Sequence, residues 1–593
     1  MLYFACKYGT FNSGFQDKIA RMQLFTLYED TNFGVYTNIP DSQSYYYCEH
    51  GLHIIMDGYV ITPELPGTNR DVAYEQGQLG YVYSSYRQQG KQALERLRGS
   101  FCVLIWDAST QALYVCRDDG GAKLIYYFTN KNELYFSNSL SLLAQLYDTP
   151  AISSDSLNEY LRFLDISEPY TIYGNIYLLE SDKMLFVGEG NVQTTNKIKT
   201  RAQSLTVSHD DLRANLDAFN KLFCGNIESY LSIKGRHGVF LSGGIDSSLV
   251  CAAASEARRN ITAFTVGFHD KGLDESPVAQ RVAQYLGVHH EVLKFSLDQD
   301  MEAFEEFTSV NPSPFADPAV IPTYQCFRHV GSRVDICLDG TGADTLIGIM
   351  PARHVRFILN YSRHIPTTLR FIIGRILNLS TILAAKKDLF CFEDPVELLI
   401  RWKGWSRKEI AVLRHNDCNL WHTMFYQTYQ DNINKSPFEL YSMLMGALPD
   451  ERIHFCSSIF GPHVAFPFFD HTIRSFIKRL PFEHRYAPGE PKRFYRALLN
   501  RYIPQDIWDV PKHGFDYPIE QLLRHQDSFL IQKYLSPESL AVHDYFDSSL
   551  VQDTVDRFLA GEDSLKFKVW ALVVFQAWYH NFYQNKVNND QAI

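Results

Sequence analysis

No two of the eleven cysteines in this chain stand in a C-x-x-C pair, and no histidines cluster at metal-ligand spacing. A structural zinc site is therefore not expected. The odd count and the scatter over positions 6, 48, 102, 116, 224, 251, 326, 337, 391, 418 and 456 fit reduced thiols, and with them a cytoplasmic location. Long hydrophobic runs are also missing. The most apolar stretches, Phe371 to Ala385 (broken by Arg375) and Val569 to Trp578, are too short to span a bilayer. Both are expected to be buried helices, and no membrane partner is expected. The opening MLYFACKYGT lacks a basic segment followed by an apolar run and cleavage site. Positive charge is in deficit: 56 Lys and Arg against 67 Asp and Glu leave a formal charge of −11. That argues against nonspecific nucleic-acid binding, which depends on a basic surface, and leaves room only for a local basic patch. There is no GxxxxGK[ST] phosphate loop, internal repeat or low-complexity tract.

With 593 residues, 46% of them hydrophobic, the chain has room for two or three domains. Residues 1 to about 200 read as β-rich, with short runs at Leu52–Met56, Phe101–Trp106, Ala112–Cys116, Leu124–Phe128 and Leu134–Phe136. One helical segment, Gln76–Gln89, interrupts them, and the polar stretch Thr194–His209 reads as a linker. From about 210 the pattern alternates. Gly238–Leu241, Ile261–Val266 and Val334–Leu338 read as strands, and Asp246–Ala257 and Ser276–Leu286 as helices. Such alternation implies a parallel sheet covered by helices on both faces. Residues 350 to 590 read as mostly helical.

The strongest chemical signal is Phe240-Leu241-Ser242-Gly243-Gly244-Ile245-Asp246-Ser247-Ser248. Paired glycines let the backbone turn sharply after a strand. The amides that follow can converge on an anion at the start of the next helix. Ser242, Ser247 and Ser248 add hydroxyl donors. Asp246 fits an anion site only if a metal joins it to phosphate, and Mg²⁺ commonly does that.

This loop resembles the SGGxDS pyrophosphate loop of the PP-loop ATPases, which transfer AMP to an oxygen and release pyrophosphate. Further segments follow in order: Phe264-Thr265-Val266-Gly267-Phe268, a helix from Asp274-Glu275-Ser276 ending in Leu286-Gly287-Val288-His289-His290-Glu291, and Pro314-Phe315-Ala316-Asp317-Pro318. Then come Asp339-Gly340-Thr341-Gly342-Ala343-Asp344, Phe466-Pro467-Phe468-Phe469-Asp470 and Pro511-Lys512-His513-Gly514-Phe515. Together they resemble the synthetase domain of the asparagine synthetase B family over roughly residues 210 to 525. The resemblance implies ATP and Mg²⁺ as cofactors, with Asp246 and Asp344 as metal carboxylates. Leu241, Ser242, Gly243, Gly244, Asp246, Ser247, Ser248, Val266, Gly340 and Thr341 would line the nucleotide site. Lys512 would sit on the α-phosphate and the departing pyrophosphate, a fixed cation for charge that develops in the transition state. Asp317, Asp339, His289 and His290 are as consistent with capping or core roles as with catalysis.

Met56-Asp57-Gly58-Tyr59-Val60, Leu94 to Phe101 and Arg117-Asp118-Asp119 resemble the family's amidotransferase domain. The fold class implied is α/β. An amino-terminal-nucleophile-type α/β/β/α domain (1–200, degenerate class II glutamine amidotransferase-like) precedes a parallel-sheet PP-loop ATP pyrophosphatase domain (210–593) with a helical carboxyl-terminal part. Glutaminase chemistry in that family needs Cys directly after the initiator Met, its free amine serving as base. Leu2 stands there and Cys6 is internal, so glutamine hydrolysis is not expected.

The family's G-E-G-A-D-E reads Gly340-Thr341-Gly342-Ala343-Asp344-Thr345 here. A threonine cannot serve as general base for ammonia near neutral pH. Relatives that deliver another amine, the β-lactam synthetases and lasso-peptide cyclases, also vary this position and lack the amino-terminal Cys. The expected enzyme is thus an ATP-dependent, AMP-forming carbon–nitrogen ligase. Its substrates would be a carboxylate, such as a precursor peptide, and an amine, as in a lasso-type macrocyclase, and a peptide-recognition or protease protein could be its partner. An ammonia-dependent asparagine synthetase, an amidating enzyme for a sugar acid and a catalytically dead scaffold are the alternatives. Ala352–Leu420, basic and aromatic with Arg401-Trp402-Lys403-Gly404-Trp405, reads as a packed helical extension, or else as a cover for the cleft or a leader-peptide site.

Overall fold

The computed structural model describes residues 2–9, 13–40, 44–61, 77–130, 133–147, 150–188, 191–197, 207–258, 260–270, 272–379, 389–392, 395–399, 404–449, 452–510 and 517–585. Two six-stranded antiparallel sheets build the amino-terminal part. One carries, in spatial order, Tyr177–Leu178, Tyr126–Asn130, Glu133–Ser137, Phe4–Tyr8, Phe33–Thr37 and Phe25–Glu29. The other carries Asn191–Asn196, Lys183–Gly188, Ala112–Arg117, Gly99–Asp107, Leu52–Val60 and Tyr46–Glu49.

Alternation along each strand sends its side chains to opposite faces. Phe4, Cys6, Val35 and Phe136 meet Ile55, Leu104, Trp106 and Val115 in a core between the sheets. On the outer face of the second sheet, Ile54, Met56, Val103 and Ile105 pack under helix Gly77–Gln89 through Leu79 and Val82. On the outer face of the first, Ala5 and Tyr36 join Phe15, Ile19 and Leu143 from helices Ser13–Arg21 and Leu140–Leu146. The expected α/β/β/α layering is what these residues form.

The second sheet system is parallel throughout, in the order His289–Lys294, Ile261–Gly267, His237–Phe240, Ile336–Leu338, His463–Ala465. Successive strands add to one side of His237–Phe240 and then to the other. The loops leaving His237–Phe240 and Ile336–Leu338 therefore diverge at a switch point, where open α/β sheets form a crevice at the carboxyl edge. Behind it lies a helical body around Val569–Trp578, every residue of which is at most 1% exposed. Helix Ser154–Phe163, which precedes the expected boundary at 200, belongs to that body: Tyr160 Oη donates to the Ala571 carbonyl at 2.8 Å.

Four sequence expectations need correction. Helix Ser276–Leu286 has the bounds read from the sequence, but the run Gly287–Glu291 placed at its end is not helical: Gly287 takes φ +67°, and His289–Lys294 is an edge strand. The expected linker Thr194–His209 begins inside strand Asn191–Asn196, whose polar composition is that of a solvent-facing edge. His463–Ala465 supplies a strand within the region read as helical; at three residues it is too short to show a period of two. Helix Thr367–Asn378 is not buried. It tucks in Arg370 and Gly374 and leaves Ile372 at 53% and Ile376 at 61% exposure. No described helix is long and apolar enough to cross a membrane. Farther along, Trp405, Ile410 and Leu413 are buried as in a packed extension, while Arg401–Lys403 lie outside the described residues.

Candidate active site

The Ser-rich loop closes on itself before helix Ile245–Ala257 starts. The Ser242 amide donates to Ser247 Oγ at 3.1 Å, and the Gly244 amide donates to Ser242 Oγ at 3.2 Å. Gly243 has φ +73°, and a Cβ there would lie 2.7 Å from the Ala279 amide nitrogen, so only glycine fits. Gly340 lies so close to the start of that helix that its Cβ would fall 2.9 Å from the Ser247 nitrogen. The two loops of the switch point thus touch backbone to backbone.

That contact brings Asp246 and Asp344 together, although they are far apart in sequence. Between them stands a residue that the sequence reading missed. Lys492 Nζ lies 2.5 Å from Asp246 Oδ2 and 2.6 Å from Asp344 Oδ1. Lys492 precedes helix Arg493–Leu499 with φ +56°. Its positive φ is visible only in three dimensions, and no local pattern marks a Pro-Lys-Arg turn as part of a site 246 residues away.

Burial, opposed by Lys492 and reinforced by Asp344, pushes the Asp246 carboxyl up to about 6. Burial would lower the Lys492 ammonium, but the two carboxylates outweigh it and raise it. Asp246 Oδ1 is buried without a hydrogen-bond partner. A buried carboxylate oxygen lacking a partner beside a second carboxylate suits a divalent cation. Among the described residues no group of three His, Cys, Asp or Glu could hold a metal alone, so such a cation would share its remaining ligands with phosphate.

A cleft of about 920 Å³ opens over these groups. Leu241, Ser242, Asp246, Ser247, Val266, Gly340, Thr341 and Asp344 all border it. Gly243, Gly244 and Ser248 shape the loop from behind, and Ser248 is fully buried. Lys512 and the whole segment Pro511–Phe515 lie outside the described residues. Thr341 donates through its amide at 2.7 Å, and through its hydroxyl, to Asp339 Oδ1. Asp317 accepts from the Ala319 amide at 2.8 Å in the turn before helix Val320–Val330 and faces Arg452. His290 meets Thr265 Oγ1 at 2.7 Å, whereas the His289 side chain is 71% exposed.

Sequence comparison bears on the same residues. A family model described as asparagine synthase matches residues 227–580, more than half the chain and every described element of this site. The chain belongs to the asparagine synthase family. It is therefore an ATP-dependent ligase. A model of the glutamine amidotransferase domain matches residues 79–197 of this synthase-family chain. Asparagine synthetase [glutamine-hydrolyzing] 1 of Bacillus subtilis is 24% identical over 514 residues, spanning 84% of this chain and 80% of its own. Amidase chyE of Penicillium rubens is 22% identical over 549 residues, 82% of this chain and 79% of its own. Among solved structures, the NH3-dependent NAD synthetase of Campylobacter jejuni aligns with 45% of this chain and 97% of its own, at 12% identity and a TM-score of 0.18. That likeness is too remote to add to the argument.

In the amidotransferase-like part of this synthase-family chain no described cysteine has the character of a nucleophile. Cys6 and Cys102 sit in the inter-sheet core, where burial pushes their thiols far up. Burial pushes Cys116 up to about 12 and also raises Cys48. A nucleophilic thiol needs the opposite shift.

Proposed function

We propose that this ligase adenylates a carboxylate with Mg²⁺-ATP and passes the acyl group to an amine bulkier than ammonia, without hydrolysing glutamine itself. The carboxylate oxygen attacks the α-phosphorus and pyrophosphate departs. The amine nitrogen then attacks the acyl carbon, the C–O bond to AMP breaks, and a proton leaves the new amide. The observation that carries the reading is the Asp246–Lys492–Asp344 cluster at the sheet's carboxyl edge, against the Leu241–Ser248 loop. The loop amides and hydroxyls would hold phosphate oxygens. Lys492 would turn toward pyrophosphate when Mg²⁺ takes the two carboxylates, where the metal neutralises phosphate charge.

Two features support an amine other than ammonia, and a lasso-type peptide macrocyclase as the finer reading. The Thr341 hydroxyl is committed to Asp339 and offers no base. The cleft, about 920 Å³, lies near the upper end of the range for one small ligand, leaving space for a large acyl group beside a nucleotide. An ammonia-dependent asparagine synthetase is the second reading, favoured by the alignment along 84% of the chain with the Bacillus enzyme. The test is product analysis of AMP, pyrophosphate and amide from Mg²⁺-ATP with peptide carboxylates. Release of ADP and orthophosphate in place of AMP and pyrophosphate would refute adenylation.

A further inference from the structure

The amidotransferase-like part makes specific contacts with the synthetase site. Arg98, at the entrance to strand Gly99–Asp107, donates from Nε to Asp470 Oδ2 at 2.8 Å. The Asp470 side chain is only 4% exposed, and its Oδ1 accepts from the Thr472 amide at 2.9 Å, capping helix His471–Arg479. One carboxylate thus joins the amino-terminal domain to the first turn of a synthetase helix.

The same domain touches the preceding residues. Buried Asp118 accepts from the amides of Phe101, Gly120, Ala122 and Lys123 at 3.0–3.3 Å, which sets the turn Arg117–Gly121. That turn presses Gly120 so closely on Phe466 and Phe469 that a Cβ would meet them at 3.3 and 3.4 Å. On its other side the Phe469 ring lies on Gly342, where a Cβ would meet Phe469 Cε2 at 2.8 Å. Gly342 has φ +90° and starts the short helix Ala343–Ile347, which carries Asp344. A continuous set of close contacts therefore runs from Arg98 and Gly120 through Phe469 to the turn holding Asp344.

We propose that the amidotransferase-like domain is a positioning element of the synthetase site: Arg98 and the Arg117–Gly121 turn clamp Phe466–Asp470, so that the Phe469 ring holds Asp344 in place for a divalent cation. This rests on the reading of Asp246 and Asp344 as metal carboxylates. Arg98, Asp470 and Phe469 are positioning residues, since none of them is one of the two carboxylates that would hold the cation. Packing explains why the device works at a distance: the half-buried Phe469 side chain meets Gly120 at its Cβ and Gly342 at its ring, so a shift at one end moves the contact at the other.

The experiment uses the full chain with α,β-methylene-ATP and Mn²⁺ as metal probe, free Mn²⁺ being read by electron paramagnetic resonance. Arg98→Met and Phe469→Leu should weaken Mn²⁺ binding to the nucleotide complex about tenfold, the low end for residues that orient a metal ligand indirectly. Metal-free nucleotide affinity should not change, and Arg98→Lys should restore most of the Mn²⁺ affinity. Arg96→Met is the control, because Arg96 borders the same interdomain cavity but donates to Gln89 at 2.9 Å. Should Arg98→Met fail to fold, Asp470→Asn, which keeps the helix cap, takes its place. A lowered melting temperature with unchanged Mn²⁺ binding in Arg98→Met (or Asp470→Asn in its place) and in Phe469→Leu would overturn the proposal while leaving the ligase reading intact. Failure of the unsubstituted protein to bind Mn²⁺ with nucleotide would overturn both.

Discussion

Replacing Lys492 with methionine removes the ammonium that stands between Asp246 and Asp344 while keeping most of the side-chain volume. At 2.5 and 2.6 Å each ion pair has a gross attraction of about 6 kcal/mol at an effective dielectric of 20. Desolvation of the ammonium offsets much of that, and breaking a buried pair by truncating one partner costs about 3–5 kcal/mol net. The Asp344 side chain is 56% exposed, so water screens its share. The expected loss for the metal-free protein is therefore about 3 kcal/mol, at the bottom of that range. It arises mainly from leaving Asp246 buried without a counter-ion. Mg²⁺ with ATP should replace the missing cation, so the stability gap between variant and parent should narrow when both are added. Denaturant titration followed by tryptophan fluorescence, with and without Mg²⁺-ATP, measures this directly. Pyrophosphate release should fall by about 10²–10³, the usual loss for one preorganised charge contact in a transition state. If the variant were as stable as the parent without metal, or if Mg²⁺-ATP failed to narrow the gap, the two carboxylates would not be a cation-binding pair.

Three further outcomes are expected. Asp246→Asn, and independently Lys512→Ala, should abolish pyrophosphate release while circular dichroism stays unchanged; turnover at the parental rate in either would remove that residue from the site. Gly243→Ala should eliminate ATP binding, because the new Cβ meets backbone at 2.7 Å, whereas Gly561→Ala, with nothing within 4 Å, should cost about 1 kcal/mol and leave ATP binding alone. Burial, opposed by the hydrogen bond to Gln576, lowers His543 to about 4, below its ordinary 6.5. Between those values the unfolded chain binds the extra proton, so this contribution is complete above pH 6.5 and is lost as pH falls toward 4, up to about 3 kcal/mol. His543→Gln should flatten the stability profile in that window, and an unchanged slope would contradict the assignment.

How far the fold could be read from sequence followed from how local the signal was. Ser276–Leu286 and the strands around Ile54, Leu104 and Val115 carry their period within a few residues, and their positions match. In the edge strand His289–Lys294 only Leu293 is buried, and in the edge strand Asn191–Asn196 residues 192–196 are exposed, so no apolar alternation announces either. The site divides in the same way. Gly243 and Asp246 are legible because the turn and its helix are contiguous. Lys492 is not, because it enters from a separate helix, and only the packing of Gly340 on Ser247 shows that Asp344 stands beside Asp246. The role of Phe469 was likewise hidden, since a Phe-Pro-Phe-Phe run reads as core whichever side its rings face.

The most direct test of the account is product identification from purified protein and Mg²⁺-ATP in two mixtures. One holds L-aspartate with ammonium, and the other a peptide with a free amino terminus and an internal Asp or Glu. The account predicts AMP and pyrophosphate in equal amounts with a dehydrated, ring-closed peptide in the second mixture, and no asparagine in the first. Asparagine accumulating in the first mixture, with the peptide untouched, would contradict it.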